Sequence, residues 1–107
     1  MIEINNGELN VLDVVRAKLE ITAKRETPGE YWRMLRFEVP MSKSVSLNAY
    51  LESKLDTEQN FTVKVLDDTT NAIMGPYITG GKIERLETDF LTDTYVVTFS
   101  GTIVHPA

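Results

Sequence analysis

Apolar and polar residues alternate in short stretches along most of the chain, and turn-forming residues separate these stretches. A repeat of two residues is typical of β-strands with one buried face. The first stretch, residues 2–4, is followed by Asn5, Asn6 and Gly7, and an Asn-Gly pair favours the positive φ angles of a hairpin turn. We therefore predict a β-hairpin at the start of the chain.

Residues 9–18 fit two patterns. Leu9 and Val11 agree with the alternation of a strand, whereas Leu12 and Val15, three positions apart, have helical spacing. Valine is β-branched and favours extended structure, so a strand is the preferred prediction for this segment. A short helix is the alternative.

A long antiparallel hairpin is predicted for residues 18–39. Its turn is the sequence Thr-Pro-Gly-Glu at 27–30, in which Pro28 presets φ and Gly29 supplies the left-handed conformation. Pro40 ends the second strand because proline has no N–H group to donate. The alternation predicts an inward face made of Leu19, Ile21, Ala23, Leu35, Phe37 and Val39.

Residues 44–55 carry the clearest helical pattern, because Leu47, Leu51 and Leu55 recur every four residues. Ser44 or Ser46 is predicted to cap the first turn with its side chain. A helix of this length is marginal alone, so we expect its leucine face to pack on a sheet.

The second half of the chain returns to alternation. A polar turn is predicted at 67–71 and a glycine-containing loop at 75–81, and the mismatch between Ile83 and Leu86 predicts a β-bulge. Strands are predicted at residues 61–65, around 72–74, at 82–90 and at 94–104.

These elements predict a mostly β fold in a single domain, residues 1–107. The regular spacing of strands and turns is typical of an antiparallel β-sandwich or small barrel of about six or seven strands, here with one short α-helix at about 44–55.

Composition narrows the function classes. The 107 residues include no cysteine, which excludes disulfides and thiolate metal sites. The formal net charge of −5 disfavours nucleic-acid binding, which depends on Lys and Arg neutralising phosphates. No apolar run is long enough for a membrane helix, and the start of the chain lacks the pattern of a secretory signal, so we expect a cytoplasmic protein.

Three candidate chemical sites fail on inspection. His105 is the only histidine and lies near the chain end. Residues 75–82 have Gly81 at the position where a phosphate loop needs lysine. Residues 67–78 have Ala72 and Ile78 where a calcium loop needs glycine and glutamate. We therefore predict no catalytic, cofactor-binding or metal-binding residues, no cofactor and no small-molecule ligand.

Trp32, Met34 and Arg36 lie on the face of their strand opposite Leu35 and Phe37. Tryptophan, methionine and arginine are enriched in the cores of protein interfaces, so these residues are predicted to form an interface. The alternative is that a second sheet or the helix covers this face and makes Trp32 part of the core.

The layout of the whole chain resembles that of small β-rich subunits of tailed-phage virions, such as tail-tube, neck or head-decoration proteins. The resemblance implies a non-enzymatic structural or assembly subunit, with homo-oligomers or other subunits as partners, assembled into a virion made in a host cytoplasm. It also implies that extended loops at residues 40–44 and 67–81 contact a neighbouring copy, which adds Pro76 and Tyr77 to the predicted interface.

Two other function classes stay open. A small acidic binding or inhibitor protein would use its negative charge to occupy a basic groove on a partner. A small enzyme with an unrecognised site is the remaining alternative.

Overall fold

Seven strands, one α-helix and one 3₁₀ turn (Met41–Lys43) make up the computed structural model, which describes residues 1–106. In chain order the elements are β1 (Ile2–Ile4), β2 (Leu9–Val11), β3 (Arg16–Ala23), β4 (Tyr31–Pro40), α1 (Val45–Lys54), β5 (Phe61–Val65), β6 (Tyr77–Asp89) and β7 (Thr94–Val104).

All seven strands belong to one antiparallel sheet in the order β2-β1-β5-β6-β7-β4-β3. The prediction of a mostly β, antiparallel fold with one short helix is therefore confirmed. Within the described residues the sheet is open, because β2 and β3 each have a strand neighbour on one side only.

The sheet curls strongly around one core. In a flat sheet β2 and β4 would lie about 24 Å apart, since they are five strand spacings from each other. Instead, Val11 of β2 and Val39 of β4 line the same small hollow beside Leu47 of the helix. The inner faces of both halves thus share one core, whose buried members are Ile2, Ile4, Val11, Leu35, Phe37, Val39, Leu47, Leu51, Phe61, Val63, Ile78, Tyr95, Val97 and Phe99.

Glycines lie at one of the two register shifts of β6. The pairing of β6 with β7 shifts between Thr79 and Lys82 and again between Ile83 and Arg85, which confirms the predicted bulge near Ile83. Bulges bend a strand and increase its twist. Gly80 has a φ angle of 58°, and it lies inside β6 rather than in the predicted loop, because β6 begins at Tyr77.

The helix packs its leucine face inward as expected, with Leu47 and Leu51 buried. Leu55 lies beyond the helix end and is 45% exposed. The predicted serine cap is wrong: the Ser44 hydroxyl donates to the carbonyl oxygen of Met41, at 2.7 Å, and the side chain at the N-cap makes no bond to the first turn. A hydrogen bond of 3.0 Å from the Tyr50 hydroxyl to the Glu8 carboxylate ties the helix to the β1–β2 turn.

Other local predictions have mixed outcomes. The segment 9–18 contains no helix; β2 ends at Val11 and β3 begins at Arg16. The strand predicted around 72–74 is reduced to a single bridge between Leu66 and Ile73. The prediction that Ile21 and Ala23 face the core is wrong, because both residues are exposed, Ile21 by 62%.

Among the described residues, a buried polar group of the core lacks a hydrogen-bond partner. Tyr95 is 4% exposed, and its hydroxyl oxygen has no hydrogen-bond partner among the described residues. Burial, assisted by the negative charge of Glu52, raises the pKa of Tyr95 to about 12. A buried hydroxyl without a partner costs free energy of folding, since it has lost its bonds to water.

The tight strand contact at Gly101 yields a first prediction. A Cβ atom there would lie 2.6 Å from the Cγ2 atom of Ile78 and 2.7 Å from the carbonyl oxygen of Thr79. We expect Gly101→Ala to lower the free energy of unfolding by about 1–3 kcal/mol. Urea denaturation measures this, with Gly75→Ala as the control because nothing lies within 4 Å of its added Cβ. Equal stability of the two variants would contradict the contact.

Tyr95 yields a second prediction. Tyr95→Phe should raise the free energy of unfolding by about 1 kcal/mol near neutral pH, because it removes the unpartnered hydroxyl. In the unfolded chain the pKa of Tyr95 is ~10, whereas in the fold it is about 12. The folded state therefore holds this proton more tightly, and the resulting contribution to the free energy of unfolding is complete below the unfolded-state pKa and is lost as pH rises through about 12. The variant should lack that part of the alkaline loss. Exposed Tyr31→Phe is the control, and an alkaline profile unchanged by Tyr95→Phe would contradict the assignment.

Candidate assembly interface

Part of the β3–β4 hairpin projects beyond the sheet. β4 pairs with β7 only from Met34 to Pro40, whereas its pairing with β3 continues to Tyr31 opposite Ala23. Residues 21–33 therefore form a two-stranded extension, called the arm below. Every residue of the arm is exposed except Lys24, which is half-buried. A hairpin with two open faces can contact a partner on either side.

Trp32 lies in this arm. Its side chain is 41% exposed, so the alternative that places Trp32 in the core is wrong. The ammonium nitrogen of Lys24 lies 4.4 Å from the centroid of the indole ring, a cation–π contact. Lys24 also pairs with Glu30 at 3.4 Å. The indole is thus held on the arm with much of its surface still open to solvent.

Met34 and Arg36 lie next to the arm, on the outer face of the sheet. They line a hollow of about 290 Å³, which has open access from solvent. Sequence patterns did not indicate this hollow, because it depends on the register of four strands. Its other lining residues are Glu20, Glu84, Arg85, Glu87 and Thr98.

Charges of both signs cover this outer face. Three ion pairs connect residues two positions apart on one strand, at distances of 3.0–3.4 Å. Exposed pairs of this kind contribute about 0–1 kcal/mol each and weaken with salt. The face is therefore a mixed-charge surface rather than an acidic patch. The pairs are Lys18–Glu20, Arg36–Glu38 and Arg85–Glu87.

Pro76 and Tyr77 lie elsewhere. Pro76 shares a hollow of about 180 Å³ with Leu19 and Met74, where the inner side of β3 approaches the chain leading into β6. Tyr77 begins β6, and the Lys64 ammonium nitrogen lies 5.2 Å from its ring centroid. The five predicted interface residues thus fall on two separate surfaces.

The two predicted contact loops are not extended. The first contains the 3₁₀ turn, and β6 accounts for residues 77–81 of the second. The turn at 67–71 is held by Asp67, whose carboxylate accepts hydrogen bonds from the backbone N–H groups of Thr69 and Thr70 at 2.9 Å. These bonds lower the pKa of Asp67 below its usual value. The carboxylate is therefore engaged in a polar turn, as the sequence predicted.

β3 forms one open edge of the sheet. The N–H of Lys24 donates to the carbonyl of Glu30 at 3.0 Å, so even-numbered β3 residues carry the backbone bonds to β4. The odd-numbered residues direct their N–H and C=O groups away from β4. In the described part of the chain no strand pairs with that side. These residues, called the free edge below, are Ala17, Leu19, Ile21 and Ala23.

A second exposed feature was missed from the sequence. The β6–β7 turn, Asp89 to Asp93, is called the tip below. Phe90 is 82% exposed and Leu91 is 99% exposed, although Phe90 was predicted to lie on a strand. The Asp89 carboxylate accepts from the N–H groups of Leu91 and Thr92, at 3.0 and 3.3 Å. An aspartate that bonds the backbone two and three residues later is typical of a turn, so Asp89 was the sequence signal that could have indicated the end of β6.

Within residues 1–106 no group of three or more His, Asp or Glu side chains is placed to hold a metal ion. His105 is exposed and follows the end of β7. No helix in this part of the chain is both long and apolar enough to cross a membrane.

The structure is similar to that of Hcp1 from Flavobacterium johnsoniae, with a TM-score of 0.59. The alignment covers 97% of this chain and 91% of the Hcp1 chain, at 12% sequence identity. At this level of identity the similarity shows a shared fold. No family model and no curated protein matches the sequence.

Exposure of Trp32 yields a third prediction. Trp32→Ala should change the free energy of unfolding by less than about 1 kcal/mol and leave the far-ultraviolet circular dichroism unchanged, because Trp32 is exposed and does not belong to the core cluster. Phe37→Ala is the contrasting variant, since Phe37 is fully buried. A loss of stability in Trp32→Ala as large as that in Phe37→Ala would show that Trp32 belongs to the core.

Proposed function

We propose that this chain is a non-enzymatic structural subunit that assembles edge to edge with copies of itself, into a ring or tube of the type found in phage tails. In this proposal the subunit is made in a host cytoplasm and acts through its strand edges and through the surface around Trp32, Met34 and Arg36. Pro76 and Tyr77 form a second contact surface.

The observation that carries the proposal is the free edge of β3. An eight-residue edge strand without proline or a strand cover offers a row of unpaired backbone groups to another chain. Monomeric β proteins shorten or block such edges. The opposite edge, β2, has only three residues. Two unlike edges favour head-to-tail contacts, which close into rings or continue as filaments.

The shared fold supports the same proposal. Similarity to Hcp1 extends over nearly the whole chain and agrees with the resemblance to phage tail-tube subunits. A fold is compatible with many functions, so the argument also depends on the exposed edge and on the open outer face.

The first experiment is the absolute mass in solution, measured by light scattering behind a sizing column over a range of concentrations. We expect a discrete ring-sized species or a broad distribution of larger ones. A dimer and no larger species would indicate an isologous edge contact instead. The proposal would be contradicted if the chain stays monomeric at every concentration, both alone and with tail components added as a template. That result would favour the acidic binding-protein alternative.

Two adjacent proline variants yield the fourth prediction. Ala17→Pro removes an N–H that faces the free edge, so the fold should persist while association weakens by about tenfold or more. Lys18→Pro removes an N–H that bonds β4, so it leaves a β4 carbonyl without its partner and should destabilise the fold by about 1–3 kcal/mol. Light scattering and urea denaturation separate the two effects. Unchanged association in a folded Ala17→Pro variant would rule out pairing through β3.

A further inference from the structure

The two ends of the molecule carry unlike exposed surfaces. The arm exposes Ile21, Tyr31 and Trp32 by 62%, 47% and 41%. The tip exposes Phe90 and Leu91 almost completely. Hairpin turns are usually polar, so an adjacent pair of exposed apolar residues at a turn is unusual. Such a pair marks a contact site when a matching surface exists.

Arm and tip lie at opposite ends of the strands. The arm extends from the Tyr31 end of β4. The tip lies at the Pro40 end, where the N–H of Met41 donates to the carbonyl of Asp93 at 3.0 Å. The seven β4 residues 34–40 lie between them and span about 23 Å, in a molecule whose longest dimension is 41 Å. One copy therefore cannot bring its own arm and tip together.

Their charges are opposite. The arm contains Lys24, Arg25 and Arg33 but only two acidic residues, which gives it a formal charge of +1 in a chain of net charge −5. In the described residues neither arginine forms an ion pair. The tip contains two aspartates and no basic residue, so its formal charge is −2.

We propose that the arm of one copy binds the tip of a second copy, with Phe90 and Leu91 packed against the aromatic arm and Arg25 and Arg33 facing the tip aspartates. The inference rests on the proposed self-assembly and names the surfaces for its axial direction. Because each copy has one arm and one tip at opposite ends, the contact repeats head to tail and adds copies along the strand direction. Pairing through the β3 edge is a different, lateral contact, made by backbone groups; it shares only Ile21 and Ala23 with the arm.

The chemistry of both surfaces suits such a contact. Tryptophan, tyrosine and arginine are the residues that most often dominate interface energies. Exposed phenylalanine and leucine supply apolar area that is lost from water on binding. The opposite charges favour arm-to-tip contacts over arm-to-arm and tip-to-tip contacts, since like charges repel.

A charge exchange between two variants tests the proposal. Arg25→Glu with Arg33→Glu changes the formal charge of the arm from +1 to −3. The tip variant changes the formal charge of the tip from −2 to +1 by Leu91→Lys, Thr92→Lys and Asp93→Asn. It retains Asp89, whose carboxylate holds the turn. Asparagine at position 93 tolerates the positive φ of 57° found there. Phe90→Ser tests the apolar part without a change of charge.

Each variant alone should associate at least about tenfold more weakly than the unmodified chain at low salt. An equimolar mixture of the arm and tip variants should recover association, because each arm then meets a tip of opposite charge. Lys82→Glu and Val45→Ser are the controls: both residues are exposed and lie outside the arm, the tip and the other proposed contact surfaces, so association should not change. Circular dichroism and urea denaturation verify that every variant is folded.

The outcomes separate the two proposals. If folded arm, tip and Phe90→Ser variants associate as strongly as the unmodified chain does, the arm–tip contact is overturned and self-assembly is left intact. Weakened variants whose mixture does not recover would also overturn it, because the arm would then bind another surface. An unmodified chain that stays monomeric at all concentrations, with and without template, would overturn self-assembly and the arm–tip contact together.

Discussion

The curl of the sheet is the constraint on which the rest of this structure depends. A seven-stranded flat sheet in a chain of this size would leave one face without a cover, because a ten-residue helix cannot shield it. Curling lets the two halves of the sheet cover each other. Phe37, Phe61 and Phe99 then meet at ring-centroid distances of 5.3–6.2 Å and join β4, β5 and β7 in one core. The bend in β6 and the missing side chains at Gly81 and Gly101 make this approach possible.

The same curl determines which surfaces stay open. Closure stops before β2 and β3 pair, so the backbone of β3 keeps an unpaired side. After Ser100, β7 stays paired with β6 but no longer pairs with β4, so residues 31–33 of β4 have no strand neighbour on that side. The free edge and the arm are therefore two consequences of one geometric fact. A barrel closed by further pairing would have removed the free edge.

Sequence patterns predicted elements well where one face of an element is buried. Strand β7 was predicted with its full bounds, since its alternation continues over the whole strand and Tyr95, Val97 and Phe99 all face the core. The pattern failed where alternation continues without a core beneath it. Ile21 has the spacing of an inward residue, yet its part of the hairpin lies beyond the body of the sheet. Alternation indicates the side of a strand, but burial depends on what packs there.

The candidate site was predictable only in part, for the same reason. Trp32, Met34 and Arg36 share the outer face of one strand, and the period of two is sufficient to group them. Their partners Glu84 and Arg85 come from a strand about fifty residues away and depend on the β6 register, which the bulges shift. The exposure of Phe90 depends on where β6 ends, and end positions are the least certain part of any reading of a sequence.

One feature of the arm has a practical value. Trp32 is the only tryptophan in the chain, and it lies outside the core with a lysine ammonium over its ring. Its fluorescence therefore reports the surroundings of the arm rather than the integrity of the core. The chain contains a built-in optical probe at the surface of the proposed contact, and no label needs to be attached to observe it.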